Sequence, residues 1–346
     1  MWNPKYQITH LILNNIRQIE EVLGEIKFLH LRNTATLAQI QYKARELSAY
    51  ASTSIEGNPL SLTDVKRLLK NHPSTARDTE KEILNYNTAL DFIYSHIKKG
   101  SFSLSIPIME KIQSFVVKDL MVDSSDCGKL RQKPVVIRDP SRPGSIVFIP
   151  PDAKDVSQLT QELCEFITHN MQTLDPILLG GLFHKQFVII HPFMDGNGRT
   201  TRLLTTAILG AAGFNFFEIF SFENYYNQNV TQYFKKVGLY GDYYEQKDNI
   251  DFTEWLEYFT GGILDELKRV QKSISSLNTQ RRIPQHFEIV LDYLKKHGNI
   301  SQSQYGEISR RSLAARKKDF AQMVTLKLIR SIGHGKGTYY ILNEEL

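Results

Sequence analysis

Residues 191–202 read His-Pro-Phe-Met-Asp-Gly-Asn-Gly-Arg-Thr-Thr-Arg, and the run from Thr200 to Ala212 has no proline and closes on Gly213. This leaves the chain little choice of local structure. Asp195-Gly196-Asn197-Gly198 favours a turn, and the turn must open directly into a helix N-terminus. Free backbone N–H groups and the positive end of the helix dipole attract anions there, and Gly196 and Gly198 let the backbone approach a phosphate closely. Arg199 and Arg202 stand three residues apart, so both guanidinium groups reach one side of the first turn. A polyphosphate fits this arrangement. Asp195 is a hard oxygen ligand, and Mg²⁺ is commonly held by one or two carboxylates together with substrate phosphates. His191 has an ordinary pKa near neutrality and suits proton abstraction from an attacking hydroxyl. The implied chemistry is transfer of a phosphate-containing group to a hydroxyl.

The same twelve residues match, without a departure, the Fic family signature His-x-Phe-x-(Asp/Glu)-Gly-Asn-Gly-Arg-x-x-Arg, and the chain resembles that family. The resemblance implies a helical domain that moves AMP from ATP to a Ser, Thr or Tyr hydroxyl of a target protein, and of itself. It makes His191 the base, Phe193 a core anchor of the loop and Asp195 the Mg²⁺ ligand. Asn197 and the Gly196 and Gly198 amides would bind the α- and β-phosphates, Arg199 the β/γ-phosphates and Arg202 the γ-phosphate.

Ser52 to Asn58 read Ser-Thr-Ser-Ile-Glu-Gly-Asn, similar to the family's inhibitory motif (Ser/Thr)-x-x-x-Glu-(Gly/Asn), with Ser52, Glu56 and Gly57 in the required places. A Ser and a Glu four apart share one helix face, and Gly57 is a natural C-terminal cap. The resemblance implies that Glu56 pairs with Arg202, withdraws it from the γ-phosphate and leaves the protein autoinhibited. In some relatives the same Glu also positions a water that removes AMP.

Lys129 to Pro151 holds two β-rich runs, Val135-Val136-Ile137 and Ile146-Val147-Phe148-Ile149, joined by a Pro- and Gly-containing connection, which predicts a β-hairpin. A hairpin edge can capture an extended segment of another protein through backbone hydrogen bonds. In Fic proteins such a flap lies over the site and aligns the target hydroxyl. The family's adenine contacts fall in the neighbourhood of Tyr225, Tyr226 and Asn229. Tyr233 and Phe234 read as core at helical spacing, and Thr253 to Phe259 resembles the helix that closes the Fic core, which implies Trp255, Leu256 and Phe259 on its buried side.

Trp2 to Leu47 mixes apolar and charged residues at helical period, including Leu11, Ile12, Ile16, Ile19, Val22, Leu23 and Ile26. No signal-peptide pattern and no apolar run of membrane-spanning length occurs, so no membrane partner is expected. The two cysteines, Cys127 and Cys164, form no metal-type cluster, and a reduced, cytoplasmic setting is the expectation.

Beyond a linker at Thr279 to Pro284, three helices are expected at Gln285–Lys296, Ser301–Ile308 and Ser312–Leu326. Two strands should follow, at 328–332 and 338–342, around a glycine-rich turn. This resembles a winged helix. Residues 281–346 carry 12 of the 42 Lys and Arg but 6 of the 37 Asp and Glu, leaving 30 against 31 elsewhere, so the whole basic excess lies here. A basic third helix, Ser312 to Lys318 preceded by Arg310-Arg311, suits DNA, although such domains also serve as docking or dimer modules.

The expected architecture is mostly α: a helical region with the inhibitory motif over 1–100, a Fic helical fold with a β-hairpin flap over 101–278, and a winged helix-turn-helix over 279–346. The expected function is an autoinhibited protein adenylyltransferase using ATP and Mg²⁺, with homodimerisation plausible for the subgroup. Two alternatives stand beside it. One is a Fic-fold transferase using another nucleotide or phosphoryl donor, disfavoured by the intact glycines. The other is a DNA-binding regulator whose Fic domain is a sensor.

Overall fold

The computed structural model describes residues 2–30, 34–71, 73, 75–138, 144–280, 284–326, 328–333 and 335–343. It divides into two compact units, Met1–Ile26 with Ala38–Gln271, and Lys27–Leu37 with Lys272–Leu346. The helical region expected over 1–100 is thus largely part of the same unit as the catalytic segment.

In chain order the elements up to residue 280 are α1 (His10–His30), α2 (Thr34–Ile55), α3 (Leu62–Asn71), α4 (Asp78–Lys98), α5 (Ile106–Val116), β1 (Ile137–Arg138), β2 (Ile146–Ile149), α6 (Ala153–Asn170), α7 (Pro176–Ile190), α8 (Asn197–Ala211), α9 (Phe222–Gln228), α10 (Val230–Val237), β3 (Gly241–Asp242), α11 (Tyr243–Gln246) and α12 (Thr253–Gln280). The first unit is organised on α7, which is apolar around its circumference and buried at nearly every position, as a central helix must be. Its start is fixed by Pro176 and by Asp175, whose carboxylate accepts from Ile177 N and Leu178 N. Against it lies α8, where buried Thr201, Thr205 and Thr206 return their hydroxyls to carbonyls four residues back. α12 closes the core with Trp255, Leu256 and Phe259 fully buried, and the Trp255 indole donates to Gly181 O at 2.7 Å. Along α1, Ile12, Ile19, Val22, Leu23 and Ile26 are buried as the periodicity predicts, whereas Leu11 points outward.

β1 and β2 form the expected hairpin, with Ile137 opposite Phe148 and Arg138 opposite Ile146. The first strand is shorter than predicted. Val135 and Val136 lie outside it, and just before them the Lys133 carbonyl accepts from Arg131 at 3.2 Å. β2 also pairs in parallel with β3, so β1 keeps the open edge of this small sheet. The centre of the connection, residues 139–143, lies outside the described residues.

In the second unit the order is α13 (Gln285–His297), β4 (Ile300–Ser301), α14 (Gln302–Ile308), α15 (Leu313–Thr325), β5 (Ile329–Ile332) and β6 (Tyr339–Leu342). The three strands are antiparallel in the order β4, β6, β5. Phe287, Val290, Leu294, Ile300, Tyr305, Phe320, Met323 and Ile329 fill its core. The two-residue β4 was not foreseen, since so short a strand leaves no alternation to read. α12 continues through Thr279 and Gln280, which the sequence assigned to a linker; residues 281–283 lie outside the described residues. Two of the basic residues in the stretch expected to suit DNA are bonded within the unit. Arg311 donates to Asp319 at 2.9 Å, and Arg316 donates to the Gln302 carbonyl, while Arg310, Lys317 and Lys318 are exposed. Among the described residues, no helix is long and apolar enough to cross a membrane.

Candidate active site

The loop between α7 and α8 is built from two left-handed residues. His191 ends α7 with φ 49°, and Gly196 precedes α8 with φ 76°, a conformation that favours glycine. Between them Phe193 is fully buried against Phe187, as expected for a loop anchor. Asn197 is occupied within the loop: Phe193 N donates to its Oδ1 at 2.9 Å, and its Nδ2 donates to Phe193 O at 2.8 Å. Its side chain therefore fixes the turn instead of standing free for a phosphate. The helix starts at Asn197, three residues earlier than predicted, leaving the first N–H groups of α8 without helical partners.

Glu56 stands just past the end of α2. Gly57, at φ 94°, donates to Ser54 O at 2.9 Å, and Asn58 donates to Thr53 O at 3.1 Å, which is a Schellman termination. That cap delivers the Glu56 carboxylate to Arg202 Nη2 at 2.7 Å. Arg202 is fully buried; its Nε and Nη2 also donate to the Ser52 hydroxyl and carbonyl, both at 2.8 Å. Glu56 Oε1 occupies the space immediately over Gly198, where an added Cβ would collide with it. Burial pushes the Glu56 carboxyl up, but Arg202 and Arg199 outweigh it and hold the group below its ordinary range. Conversely, burial works against the Arg202 charge, and Glu56 outweighs that, leaving Arg202 more basic than usual.

Arg199 is also buried, 3.5 Å from Glu82 and 3.6 Å from Asp195. Its Nε and Nη1, like Arg202 Nη1, have no hydrogen-bond partner. Buried guanidinium donors without acceptors are costly and rare, and a polyphosphate would satisfy them. Asp195 is exposed and accepts from Gly196 N at 2.6 Å. Among the described residues no group of three or more His, Cys, Asp or Glu side chains could hold a metal. A divalent cation here would rely on Asp195 with substrate phosphates, which is how Mg²⁺ is ordinarily held.

His191 lines the same cleft, of about 540 Å³, as Glu56, Gly198 and Arg202. Its Nδ1 lies 3.3 Å from Val188 O. A carbonyl only accepts, so the proton belongs on Nδ1 and Nε2 keeps its lone pair. Burial pulls the imidazole pKa down to about 4, with Arg131 adding to the effect and the Val188 carbonyl, Glu56 and Asp195 opposing it. The ring is neutral at pH 7, as a general base requires.

The opposite wall comes from Ile137, Val147 and Phe148 of the hairpin and from Thr231, Phe234, Lys235 and Tyr240. Val135, Val136 and Ile146 are not among the lining residues. Nor are Tyr225, Tyr226 and Asn229, the three residues expected near adenine. Tyr226 is fully buried and stacked on Tyr233 at 4.5 Å, Tyr225 packs on Tyr258 at 5.3 Å, and Asn229 caps α10 by accepting from Gln232 N at 3.0 Å. Tyr233 is core as expected, but Phe234 turns out into the cleft. Sequence reasoning missed Glu82 and Arg131, single charged residues with no local pattern around them. It also missed Glu223, a buried carboxylate that accepts from Ser48, Tyr86 and Ser221 and ties α2 to the core.

Residues 104–209 match the model of the Fic/DOC family. The chain is 26% identical over 204 residues to the protein adenylyltransferase fic-1 of Caenorhabditis elegans, covering 58% of this chain and 38% of that protein. It is 30% identical over 169 residues to the protein adenylyltransferase Fic of Nematostella vectensis, covering 48% and 37% respectively. The chain thus spans about two fifths of the length of these curated relatives. In fold it is similar to the crystal structure of a Fic family protein from Desulfovibrio desulfuricans G20, with a TM-score of 0.66, 19% identity and 99% of each chain covered.

Proposed function

Because the chain carries a Fic domain at residues 104–209, we propose that it is a protein adenylyltransferase that moves AMP from ATP to a hydroxyl of a target protein and is held back by Glu56. The observation that carries this reading is that buried Arg199 Nε and Nη1 and Arg202 Nη1 have no hydrogen-bond partner at the glycine-flanked start of α8, beside a neutral His191. His191 Nε2 takes the proton of the target hydroxyl. The hydroxyl oxygen then bonds to the α-phosphorus as the bond to the β-phosphate bridging oxygen breaks, and pyrophosphate leaves. The amides at the start of α8 and the guanidinium groups hold the polyphosphate in line. A Mg²⁺ ion, held by Asp195 and the phosphates, would supply charge neutralisation on the leaving group. The open edge of β1 suits a target segment added as a strand, and Thr231, Phe234 and Tyr240 suit the base. Glu56 bonded to Arg202 and lying over Gly198 supports autoinhibition, since it occupies the ground a γ-phosphate needs. The free cysteines Cys127 and Cys164 fit a reduced, cytoplasmic setting.

Transfer of label from α-³²P-ATP, but not γ-³²P-ATP, should be weak in the wild type, strong in Glu56→Gly and absent in Glu56→Gly/His191→Ala. Label from the γ-phosphate, or none from either in folded Glu56→Gly protein presented with lysate, refutes the assignment.

The second unit supports a further reading, a winged helix that binds DNA, on the strength of its helix and strand order and the exposed Arg310, Lys317 and Lys318. Salt-sensitive binding to duplex DNA in a gel shift, weakened by Lys317→Glu/Lys318→Glu, is the expected result; no shift at physiological salt rejects it.

A further inference from the structure

Arg131 lies between α5 and β1 and is 1% exposed. Among the described residues no carboxylate pairs with it. A buried cation is unfavourable unless its donors are met, and here they are met almost entirely by backbone carbonyls. Its Nε donates to His191 O at 2.8 Å, its Nη1 to Lys133 O at 3.2 Å, and its Nη2 to Pro151 O and, at 3.4 Å, to Ile190 O. Its own backbone N–H donates to Pro192 O at 2.9 Å.

These acceptors belong to two parts of the site. Ile190, His191 and Pro192 are the turn out of α7, where His191 is held at a φ of 49° that side chains rarely adopt. Lys133 and Pro151 are the two roots of the hairpin, one just before β1 and one just after β2. One planar guanidinium therefore bonds the backbone of the candidate base and both legs of the candidate docking hairpin. We propose that Arg131 is a positioning residue that sets His191 and the hairpin in a common frame, so that a target hydroxyl delivered by the hairpin arrives at His191 Nε2. The inference rests on the AMP-transfer reading above for its consequence in catalysis, but the clamp itself is a property of the backbone.

The Arg131→Lys substitution keeps the charge but offers its donors from a single point, which cannot reach carbonyls on three chain segments; Arg131→Met removes the donors altogether. Both are made in Glu56→Gly protein. Affinity for a fluorescent ATP analogue should stay within about twofold of the parent, because the side-chain hydrogen bonds of Arg131 go to backbone carbonyls and none to Asp195, Arg199 or Arg202. The kcat should fall at least about tenfold and the target KM should rise, since misplacement of reacting groups is expressed in turnover. Amide hydrogen exchange should quicken together at residues 133–137 and 188–193 while α12 is unchanged.

A kcat within about threefold of the parent for Arg131→Met overturns the proposal. So does nucleotide affinity falling in step with kcat, exchange changing in only one of the two segments, or an Arg131→Lys protein that does not fold. If the Glu56→Gly parent itself transfers no AMP, the functional assignment fails on that result alone. The exchange comparison of wild type with Arg131→Met then still decides the clamp.

Discussion

Replacing Glu56 with Gly removes the one carboxylate that, among the described residues, is bonded to a fully buried Arg202. Breaking a buried ion pair from one side costs roughly 3–5 kcal/mol, because the remaining charge stays desolvated. Here the Glu56 side chain is 30% exposed and Ser52 continues to accept from Nε and Nη2, so the lower end, about 3 kcal/mol, applies. For a unit of this size the free protein should melt roughly 6–12 °C lower. The same pair has to open before a γ-phosphate can take Arg202, and about 3 kcal/mol corresponds to roughly a hundredfold change in the competent fraction. AMP transfer at subsaturating ATP should therefore rise by about two orders of magnitude. ATP at a hundred times the variant's Kd should stabilise the variant by roughly 2.7 kcal/mol and the wild type by less. Thermal melts with and without Mg²⁺-ATP, beside α-³²P transfer, measure both effects on one preparation. A free variant that melts at or above the wild type, or transfer within threefold of it when ATP still binds, refutes the reasoning.

Stability should also fall as pH drops below about 6.5, because the unfolded chain takes up a proton that folded His191, with its pKa pulled down to about 4, refuses. Urea melts at pH 7 and pH 5 should show a slope of up to about 1.4 kcal/mol per pH unit that His191→Ala loses; an unchanged slope means the imidazole titrates normally. In Gly198→Ala the new methyl meets Glu56 Oε1 and sits on the phosphate approach, so melting should drop without any gain in transfer; an activated Gly198→Ala protein would count against the cradle. Removing residues 1–58 should yield a protein that does not melt cooperatively, because Glu223 loses Ser48 and Arg202 loses both Ser52 and Glu56. A folded, active fragment from that truncation would mean α2 is a detachable inhibitor.

What could be read from the sequence was what local spacing encodes. The turn and helix of α8 follow from Gly196, Gly198 and a proline-free run, and the reach of Glu56 follows from its four-residue spacing to Ser52 with Gly57 behind it. The hairpin was legible as two β-rich runs, but not the length of its first strand, which holds Ile137 and leaves out Val135 and Val136. Asn197 looked like a phosphate ligand until the positive φ of His191 and Gly196 brought Phe193 back against both ends of its amide. Tyr225 and Tyr226, expected near adenine by position, do not line the cleft, and α9 is tied into an aromatic cluster with Tyr233, Trp255 and Tyr258. On the next helix, adjacent aromatics part company: Tyr233 goes in and Phe234 comes out. Glu82 and Arg131 could not be found at all, since each acts through partners far away in sequence.

The position of Arg202 explains why inhibitor and substrate should compete at all. A guanidinium with no exposed surface is costly to leave without an anion; here the Glu56 carboxylate supplies one at 2.7 Å, and a phosphate entering over Gly198 would be another source. The two cannot be present together, since Glu56 Oε1 already fills the space above that glycine. α2 is tied down in the two turns before Glu56, where buried Ser48 donates to Glu223 and buried Ser52 accepts from Arg202. If Glu56 inhibits as proposed, the switch is confined to its side chain and the Schellman turn that carries it. A signal that relieves inhibition has to give Glu56 another partner or shift that turn, and it need not move the helix.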